Sequence, residues 1–562
     1  VQLYSVGVRM AEIVAPRPAA TLILVRDSAA GMEVLLGEKT SKVNFAAGAF
    51  VFPGGALDDL DYGDNFNISG KLNDDQANQI LGVSDGGLNY WIAAIRECFE
   101  EVGVLFAASS SGEMLSENEY STFQSSNRKK LDRGEVTFHE ILRDAELSLE
   151  VDRLHYLSRW VTHAGSPRRY DTRFFIARMP NGQIAQHDGG ELVGHRWAKP
   201  EEALKLSSKG ELNLMFPTQK TLEKLTEFRE VEEALSYTLN APPVTPMKPR
   251  LTTGIGGKKL LLPGDFAYAE AGKLDPKQLG TVSRDIQAGV AVQIDKRVKR
   301  LTAPNASIMT GPGTNTYILG DDANGYLVID PGPEDTKHID LIRDLTSNRV
   351  KWVLCTHTHI DHSPGAALIN RSMGARIYGR LADDMDRQDS SFIPDEQLSG
   401  GSKTNFGDLK IDILHTPGHA SNHLCFLFEE ARMLFTGDHI MQGSTVVINP
   451  PDGDMSAYFS SLNNLYDYQF DWIAPGHGFL MDNPHEVVNR LLIHRQKRET
   501  KIVNALSTLK AGTIDELVVR AYDDVSETLH QLAKRSLLAH LIKLLKEGRV
   551  NMNNDVWVSV SN

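Results

Sequence analysis

Short apolar runs and one long helical stretch alternate in the first part of the chain. The runs are rich in apolar and β-branched residues and are bounded by polar residues, which is typical of strands. They lie at 20–25, 33–36, 49–52 and 173–177. Residues 89–106 instead place apolar side chains at helical spacing. The pattern predicts an α/β domain over residues 1–240.

The rest of the chain divides into three stretches of different character. A Pro- and Gly-rich interval, 241–287, is expected to connect two domains, although three leucines at 260–262 predict that part of it packs. Residues 288–489 alternate short strands with helices. The clearest are strands at 316–319, 326–329 and 352–354 and a helix at 338–346. Residues 490–562 are helical with a β-like end at 556–560, which predicts a winged-helix-like unit.

Composition limits the class of protein. The chain has 562 residues, more than one hydrophobic core holds, so several domains are expected. No apolar run reaches the roughly 20 residues of a membrane span, and we expect no membrane contact of that kind. Cys98, Cys355 and Cys425 are too scattered for a disulfide framework, and residues 1–9 lack the segments of a secretory leader. Both observations predict a cytoplasmic protein.

Charge is unevenly distributed along the chain. The formal net charge of −14 disfavours a general nucleic-acid binder, because such proteins depend on basic surface. Residues 491–550, however, hold 11 Lys and Arg against 7 Asp and Glu. Any polyanion contact is therefore expected near the C-terminal end.

Carboxylates cluster in the predicted helix of the first domain. Helical geometry places Glu97, Glu100 and Glu101 on one face, at spacings of three and four residues. Unpaired, these charges repel one another, whereas hard cations such as Mg²⁺ or Mn²⁺ bind carboxylate oxygens and bridge to a diphosphate. A solvated acidic helix end is the alternative explanation.

Two glycines, Gly54 and Gly55, end a strand upstream of this helix and permit a close backbone turn. Together these segments resemble the Nudix hydrolase family, whose box runs from the second glycine through an RE-x-x-EE-x-G helix. Gly55 and Arg96 stand 41 positions apart, about 27 more than the family's usual spacing, and Asp61 falls where the box commonly has Glu. The insertion and the segment RYDTRFF, residues 169–175, resemble the peroxisomal coenzyme A diphosphatase group.

The Nudix resemblance implies roles for these residues. The three glutamates would hold Mg²⁺ or Mn²⁺ and serve catalysis by activating water against a phosphoanhydride. Glu191 is a candidate general base, with an exposed turn carboxylate as the alternative. The glycine pair, Arg169 and Arg173 would bind substrate phosphate, although the arginines also fit a solvated basic loop. The implied substrate is a nucleoside diphosphate derivative or a coenzyme A-type molecule.

The stretch THTHIDH, residues 356–362, directly follows an apolar run in the second half. A strand ending in such a loop can present several metal-binding side chains to one cleft. Further candidates lie in TPGH, FTGDH and APGHG, each beside a glycine. The ligand-type residues are His357, His359, Asp361, His362, His419, Asp438 and His477.

This series resembles the metallo-β-lactamase fold, an αββα sandwich. The resemblance implies that His357, His359 and His419 bind a first metal. By the same resemblance Asp361, His362 and His477 bind a second, Asp438 bridges the two, and Asp330 supports the ligand loop. Two Zn²⁺ or similar transition-metal ions are expected, and Asp361 and Asp438 are then catalytic carboxylates as well as ligands. His415, His423 and His439 fall outside the motif and are expected to pack or to form supporting hydrogen bonds.

Further segments carry a second resemblance, which covers residues 301–562. The segment GPGTNTYILG, the run from HTPGH to APGHG, the segment HRQKRE and the terminal helices with their wing resemble the mitochondrial metallo-β-lactamase endoribonuclease family, which adds a winged-helix-like tail to the fold. Pro364 departs from that family, which usually has glycine there. Several basic residues of the tail either meet a phosphate-bearing substrate or form a solvated helix face. These are Arg495, Lys497, Arg498, Lys534 and Arg535.

The chain as a whole is therefore expected to be a multidomain α/β enzyme with a Nudix fold, a metallo-β-lactamase fold and a winged-helix-like unit. It would hydrolyse diphosphates at one site and, at the other, either an RNA phosphodiester or an acyl thioester. Single-stranded RNA is thus one candidate partner, and the oligomeric state is open. The alternative is a scaffold or nucleic-acid-binding protein with one inactive domain; complete ligand sets at both sites favour the enzyme.

Overall fold

The computed structural model describes residues 13–41, 47–61, 66–109, 112–113, 115–384 and 388–560. Two compact units make up the chain, Val1–Arg250 and Leu251–Asn562. Their boundary lies inside the interval that the sequence predicts to be a connection. Residues 1–9, which bear on the expected absence of a leader, lie outside the described residues.

The first unit combines strands and helices over its described residues. Its strands are β1 (Arg17–Ser28), β2 (Gly31–Lys39), β3 (Phe50–Val51), β4 (Gly54–Ala56), β5 (Ile68–Ser69), β6 (Ala107–Ala108), β7 (Ser148–Glu150), β8 (His155–Val161), β9 (Tyr170–Arg178) and β10 (Leu192–Ala198). Its helices are α1 (Asp74–Leu81), α2 (Leu88–Val102), α3 (Glu117–Asp132), α4 (Phe138–Asp144), α5 (Pro200–Ser208), α6 (Phe216–Leu225) and α7 (Val231–Asn240). Each predicted strand overlaps an observed one.

A mixed seven-stranded sheet underlies the first site. Its main path is β10-β2-β1-β9-β8, with β3 beside β2 and β4 beside β1. Helix α2 packs on this sheet, where Trp91 and Phe99 share a buried core with Leu22 and Phe175. In the sheet, the pairing of β1 with β4 places Gly55 directly opposite Ala20. The glycine turn also contacts the acidic helix, since the Gly54 amide donates a hydrogen bond to Glu101 of α2.

The insertion between Gly55 and Arg96 extends α2 at its N-terminal end. Its short helix α1 carries Asp74, whose carboxylate accepts hydrogen bonds from the Gly86 and Leu88 amides at 3.2 and 3.0 Å. This satisfies amides at the start of α2, which otherwise lack acceptors. At the other end α2 stops at Val102 rather than at the predicted residue 106, because Gly103 adopts the left-handed conformation with φ 71°.

The second unit is larger. Its strands are β11 (Arg250–Thr252), β12 (Lys259–Leu261), β13 (Ala291–Asp295), β14 (Val298–Thr302), β15 (Asn315–Asp321), β16 (Gly325–Ile329), β17 (Val350–Leu354), β18 (Arg376–Gly379), β19 (Glu396–Gln397), β20 (Ser402–Phe406), β21 (Leu409–His415), β22 (Leu424–Phe428), β23 (Met433–Gly437), β24 (Trp472–Pro475), β25 (Ala511–Gly512), β26 (Val550–Asn553) and β27 (Val556–Ser559). Its helices are α8 (Tyr268–Leu274), α9 (Thr336–Leu345), α10 (Gly365–Met373), α11 (Met455–Asn464), α12 (Pro484–Leu509), α13 (Ile514–Ala521) and α14 (His530–Lys546).

Two sheets pack face to face in this unit. Strands β13 to β19 form one in sequence order, and β20 to β24 form the other. Residues of both sheets, such as Leu327 and Phe426, share one buried core. Helices α9 and α10 cover the outer face of the first sheet, and α11 and α12 cover that of the second. The arrangement is the predicted αββα sandwich.

The C-terminal helices α12, α13 and α14 enclose a further core that includes Trp557 of β27. Strands β25, β27 and β26 form the wing. Helix α13 begins with a capping box, since Thr513 and Glu516 each accept a hydrogen bond from the other's backbone amide. The predicted winged-helix unit is thereby confirmed.

Part of the predicted connection is packed, as its leucines indicate. Leu261 lies in a small core with Phe479 of the second unit. The three cysteines are free and buried, which agrees with the absence of a disulfide framework expected from their spacing. Among the described residues, no helix combines the length and apolar character needed to cross a membrane.

Candidate hydrolase sites

The Nudix glutamates lie where α2 meets the glycine turn. Glu101 Oε2 accepts a hydrogen bond from the Gly54 amide at 3.0 Å. A Cβ added to Gly55 would lie 2.4 Å from Glu97 Oε1, so only glycine leaves room for this carboxylate. The structure thus brings both predicted glycines against the acidic face.

Arg96 holds the acidic cluster together. Its guanidinium forms a two-pronged ion pair with buried Asp61 at 2.8 and 2.9 Å. It also lies 3.0 Å from carboxylate oxygens of Glu97 and Glu100. Asp61 therefore supports the cluster through Arg96, ahead of the insertion.

Burial alters the ionisation of the acidic cluster. Burial raises the pKa of Glu97, Glu100 and Glu101, that of Glu100 to about 7. Glu101 Oε1 is buried and has no hydrogen-bond partner among the described residues. Three carboxylates with an unsatisfied buried oxygen fit a hard divalent cation such as Mg²⁺ or Mn²⁺.

Lys39, which was not predicted from the sequence, joins this site from the end of β2. Its ammonium lies 2.6 Å from the candidate base Glu191, and its side chain is only 16% exposed. Burial lowers the pKa of Lys39, but Glu101, Glu191 and Glu97 outweigh that effect, so its pKa lies above the ordinary value. In the sequence, the position of Lys39 at the end of an apolar strand is only a weak indication of a site residue. Its partner Glu191 could not be inferred, because it is 152 residues away.

The two arginines predicted to bind phosphate are engaged inside the first unit. Arg173 is 2% exposed, pairs with Asp171 at 2.8 Å and lies over the Tyr90 ring. Arg169 donates to the carbonyls of Val14 and Thr162 at 2.6 and 3.1 Å. These contacts give no direct support to phosphate binding, which for both arginines stays a prediction.

The metallo-β-lactamase candidates lie on four loops that follow strands. Residues 356–362 follow β17, His419 follows β21, Asp438 follows β23 and His477 follows β24. Three groups of these side chains have ligand atoms within 4.8 Å of one another, close enough to hold metal ions. They are His357, His359 and His419; His357, His362 and Asp438; and Asp361, His362 and His477.

Asp438 lies between the two predicted ligand sets. Its Oδ1 is 3.4 Å from His362 Nε2 and 3.3 Å from His477 Nε2. Its Oδ2 is 3.7 Å from His419 Nε2. The two oxygens therefore face different sets, an arrangement that allows one carboxylate to bridge two ions.

Neighbouring groups orient the imidazoles. Asp330 accepts hydrogen bonds from the Thr356 amide and hydroxyl at 2.7 and 2.8 Å, and its Oδ2 lies 3.0 Å from His362 Nδ1. His419 Nδ1 donates to the Val447 carbonyl at 2.8 Å. In both rings the outer nitrogen is occupied, which leaves Nε2 for the cleft.

Electrostatics differ between the two sets. Burial and neighbouring imidazoles lower the pKa of His357 well below its ordinary value and that of His359 to about 3. Burial also lowers the pKa of His362 and His477, but nearby carboxylates outweigh it and raise that of His477 to about 9. His357 and His359 are therefore neutral at pH 7, the form in which imidazole binds metal.

Three ligand atoms of this cleft are buried without a hydrogen-bond partner among the described residues, namely His357 Nε2, His362 Nε2 and Asp438 Oδ1. Leaving such atoms unpaired costs about 1–3 kcal/mol each. Nitrogen and carboxylate donors of this kind suit Zn²⁺ or a similar transition metal. The donor set therefore fits a dinuclear metal centre.

The remaining histidines near the cleft pack around the candidate ligands. His423 is fully buried, stacks on His357 with ring centroids 5.0 Å apart, and contacts Thr416 Oγ1 at 2.9 Å. His439 is also fully buried, and His415 contacts the Ser421 carbonyl. These positions agree with the packing expected from the sequence.

Basic side chains of the tail are largely engaged within the second unit. Arg495 donates to the Val446 carbonyl, and Arg498 pairs with Asp524 at 2.8 Å. Lys534 forms an ion pair within the tail. Neither predicted alternative, substrate contact or a solvated helix face, describes Arg495 and Arg498, because both are buried.

Family models match three parts of the chain. Residues 309–477 match the metallo-beta-lactamase superfamily, residues 72–225 the NUDT19 Nudix domain, and residues 513–557 the beta-lactamase associated winged helix domain. These matches confirm the three domain types expected from the sequence. The first two are hydrolase families that depend on metal.

Individual proteins are similar over part of the chain. Beta-lactamase-like protein 2 homolog of Caenorhabditis elegans is 28% identical over 46% of this chain and 87% of its own length. Atrochrysone carboxyl ACP thioesterase of Passalora fulva is 31% identical over 41% of this chain and 69% of its own length. The crystal structure of a NUDIX hydrolase from Alicyclobacillus acidocaldarius, 25% identical, covers 40% of this chain and 97% of its own, with a TM-score of 0.32.

The fold, the clustered ligand loops and the sequence matches agree with one another. The chain is a hydrolase that belongs to the metallo-β-lactamase superfamily and carries a NUDT19-type Nudix domain and a winged-helix domain in addition.

Proposed function

We propose that this chain is a bifunctional metal-dependent hydrolase that cleaves a diphosphate at the Nudix site and an acyl thioester at the His/Asp centre. One observation carries the proposal: both clusters contain buried oxygen or nitrogen atoms that could bind metal and that have no hydrogen-bond partner among the described residues. These atoms belong to Glu101 in one unit and to His357, His362 and Asp438 in the other. A scaffold with one inactive domain would not need both sets.

At the Nudix site we assign Mg²⁺ or Mn²⁺ to Glu97, Glu100 and Glu101. Cations bound there would activate water and offset the charge of a diphosphate. Glu191 is the proposed general base, and Lys39 holds its carboxylate beside the cluster. The match to the NUDT19 Nudix domain supports a coenzyme A-type or other nucleoside diphosphate substrate.

At the second centre we assign one Zn²⁺ or similar ion to His357, His359 and His419. A second ion is assigned to Asp361, His362 and His477, with Asp438 shared between them. Metal bound there would supply an activated water and Lewis acidity toward the substrate. The chain itself fixes the ligands: Asp330 orients His362, and the Val447 carbonyl orients His419.

Three observations favour a thioester over RNA at this centre. A similar protein from Passalora fulva is named as a thioesterase. Ile360, between two candidate ligands, is 68% exposed and offers apolar surface to an acyl group. Arg495 and Arg498 are buried in contacts of their own, so they offer no phosphate-binding surface.

Single-stranded RNA is the second candidate substrate. The match to a winged-helix domain favours it, because hydrolysis of a small thioester does not require such an added domain. The basic balance of residues 491–550 points the same way.

We also propose that domain boundaries lie after residues 240, 287 and 489. Helix α12 runs through residue 489 without a break, and its packing changes along its length. Val488 packs with the sandwich, whereas Ile502 packs with the winged-helix core.

Three free, buried thiols support a reducing compartment such as the cytoplasm.

A substrate panel tests the proposed function. The purified full chain would be assayed with coenzyme A in Mg²⁺ or Mn²⁺, and with acyl-coenzyme A and single-stranded RNA after loading with Zn²⁺. We expect 3′,5′-ADP with a phosphopantetheine from the first, and free acid with thiol from the second. RNA cleavage without thioester hydrolysis would replace the thioester proposal, and failure to cleave any diphosphate would reject the Nudix assignment.

A further inference from the structure

The interval expected to be a connection supplies a buried acidic side chain to the second unit. Glu270 of α8 is 2% exposed and pairs with Arg300 of β14, which is 3% exposed. The two guanidinium nitrogens lie 2.6 and 2.9 Å from the two carboxylate oxygens. Both ends of this ion pair are therefore shielded from water.

The ion pair contacts the loop that carries His477. Glu270 Oε2 accepts a hydrogen bond from the Leu480 amide at 2.9 Å. The Arg300 guanidinium lies over the Phe479 ring, 5.5 Å from its centroid. Residues that directly follow His477 are thus attached to α8 and β14.

The backbone on both sides of His477 is held from β15 as well. Asn315 donates to the carbonyls of Pro475 and Gly478 at 3.0 and 2.9 Å. The ring of His477 points its Nδ1 at the Gly313 carbonyl, 3.2 Å away. Its Nε2 is thereby directed toward the carboxylates of the candidate metal centre.

We propose that Glu270 is a positioning residue for the metal ion assigned to His477, an inference that rests on the ligand set proposed above. Removing the charge of Glu270 would leave Arg300 buried without a counter-charge and would weaken the acceptor for the Leu480 amide. The loop would then be held through Asn315 and the Gly313 carbonyl alone and would position His477 less tightly. The set formed by His357, His359 and His419 lies on other loops and keeps its geometry.

Metal binding by the full chain tests this proposal. Metal-free protein, prepared with a chelator, would be titrated with Co²⁺, whose visible absorption reports the coordination of each ion, and thermal unfolding would be followed in parallel. The wild type should bind two ions. Glu270→Gln should weaken one of them about tenfold or more and leave the other within about twofold.

Asp295→Asn is the matched control. Asp295 pairs with Lys273 of the same helix at 2.8 Å, and its carboxylate makes no hydrogen bond to the His477 loop. This variant should bind both ions like the wild type. A difference between the two isosteric substitutions therefore reports the contact with the loop rather than the loss of any ion pair on α8.

A second variant separates positioning from stability. Glu270→Leu with Arg300→Met replaces the buried pair by apolar side chains, a change that often leaves stability unaltered. The second ion should still bind weakly, because the Leu480 amide has lost its acceptor. Wild-type affinity for both ions in either Glu270 variant, or equal weakening of both ions, overturns the proposal. A wild-type chain that binds fewer than two ions overturns the ligand set and this inference with it.

Discussion

Lys39 and Glu191 form a 2.6 Å ion pair although 152 residues separate them in the chain. The pair lies close enough to Glu97 and Glu101 for their charges to raise the pKa of Lys39. We expect Lys39→Met, which keeps the aliphatic stem, to lower kcat/KM for diphosphate cleavage about tenfold or more, or about 1.4 kcal/mol. The loss arises because Glu191 is then no longer held beside the cluster.

A lysine pair elsewhere in the same unit provides the control for Lys39. Lys220 pairs with Glu223 at 2.7 Å on the partly exposed face of α6. Lys220→Met should leave steady-state diphosphatase kinetics within about twofold of wild type, since exposed pairs contribute little. Equal kinetics for the Lys39 and Lys220 variants would contradict a role for Lys39.

Asp330 should control how tightly the second ligand set holds metal. Asp330→Asn would present an amide N–H to Thr356 or His362, both of which need an acceptor. We expect metal affinity to fall about 10- to 100-fold, because His362 loses its orienting partner. Elemental analysis after dialysis checks this. Asp335→Asn, at the N-cap of α9, keeps its capping role and should retain wild-type metal content.

Glu499 should make the winged-helix unit sensitive to acid. Burial raises its pKa, but contacts with His540 and Lys543 outweigh that effect and hold the pKa at about 2, below the ordinary value of 4.5. A depressed carboxylate pKa contributes stability that is present above pH 4.5 and lost as the pH falls toward 2. Glu499→Gln should therefore lower Tm at pH 7, and the difference from wild type should shrink between pH 4.5 and 2.

Differential scanning calorimetry of both proteins across that pH range measures this effect. Glu486→Gln serves as the control, because the Glu486 side chain is 63% exposed and its partner Arg490 lies 3.5 Å away. A Tm difference for Glu499→Gln that stays constant from pH 7 to pH 2 would contradict the assigned ionisation.

The two sites should retain different metals. Imidazole-rich ligation favours transition metals, whereas a site built from glutamates favours Mg²⁺ or Mn²⁺. Elemental analysis of protein purified without added metal should therefore find about two transition-metal ions per chain. The double variant His357→Ala, His359→Ala should lose at least one of them, whereas Glu100→Gln should lose none. Retention of both ions by the histidine variant would reject the ligand assignment.

Local motifs made much of both sites predictable. The spacing of Glu97, Glu100 and Glu101 requires only helical geometry, and His357 to His362 lie within one loop. Chain order alone therefore places these groups together. The position of His423 near, but outside, the motif predicts packing or a supporting hydrogen bond, and the structure identifies His357 as the ring it stacks on.

Contacts between distant segments could not be predicted in the same way. Lys39 meets Glu191, and Glu270 meets Arg300, only after sheets and helices have packed. The end of α2 was predicted too late because Gly103, read as part of the helical run, ends it. The sequence likewise gives no sign that Arg173, a predicted phosphate-binding residue, pairs with Asp171 and lies over the Tyr90 ring. Charge and spacing say little about such long-range partners.

The central claim is that one chain contains two independent hydrolytic centres. The most direct test assays wild type, Glu100→Gln, and His357→Ala with His359→Ala for both coenzyme A diphosphate cleavage and acyl-coenzyme A hydrolysis. We expect Glu100→Gln to lose the first activity by about a hundredfold or more and to keep the second, and the histidine variant to show the reverse. Two independent centres are ruled out if one variant loses both activities. They are also ruled out if both variants retain both activities.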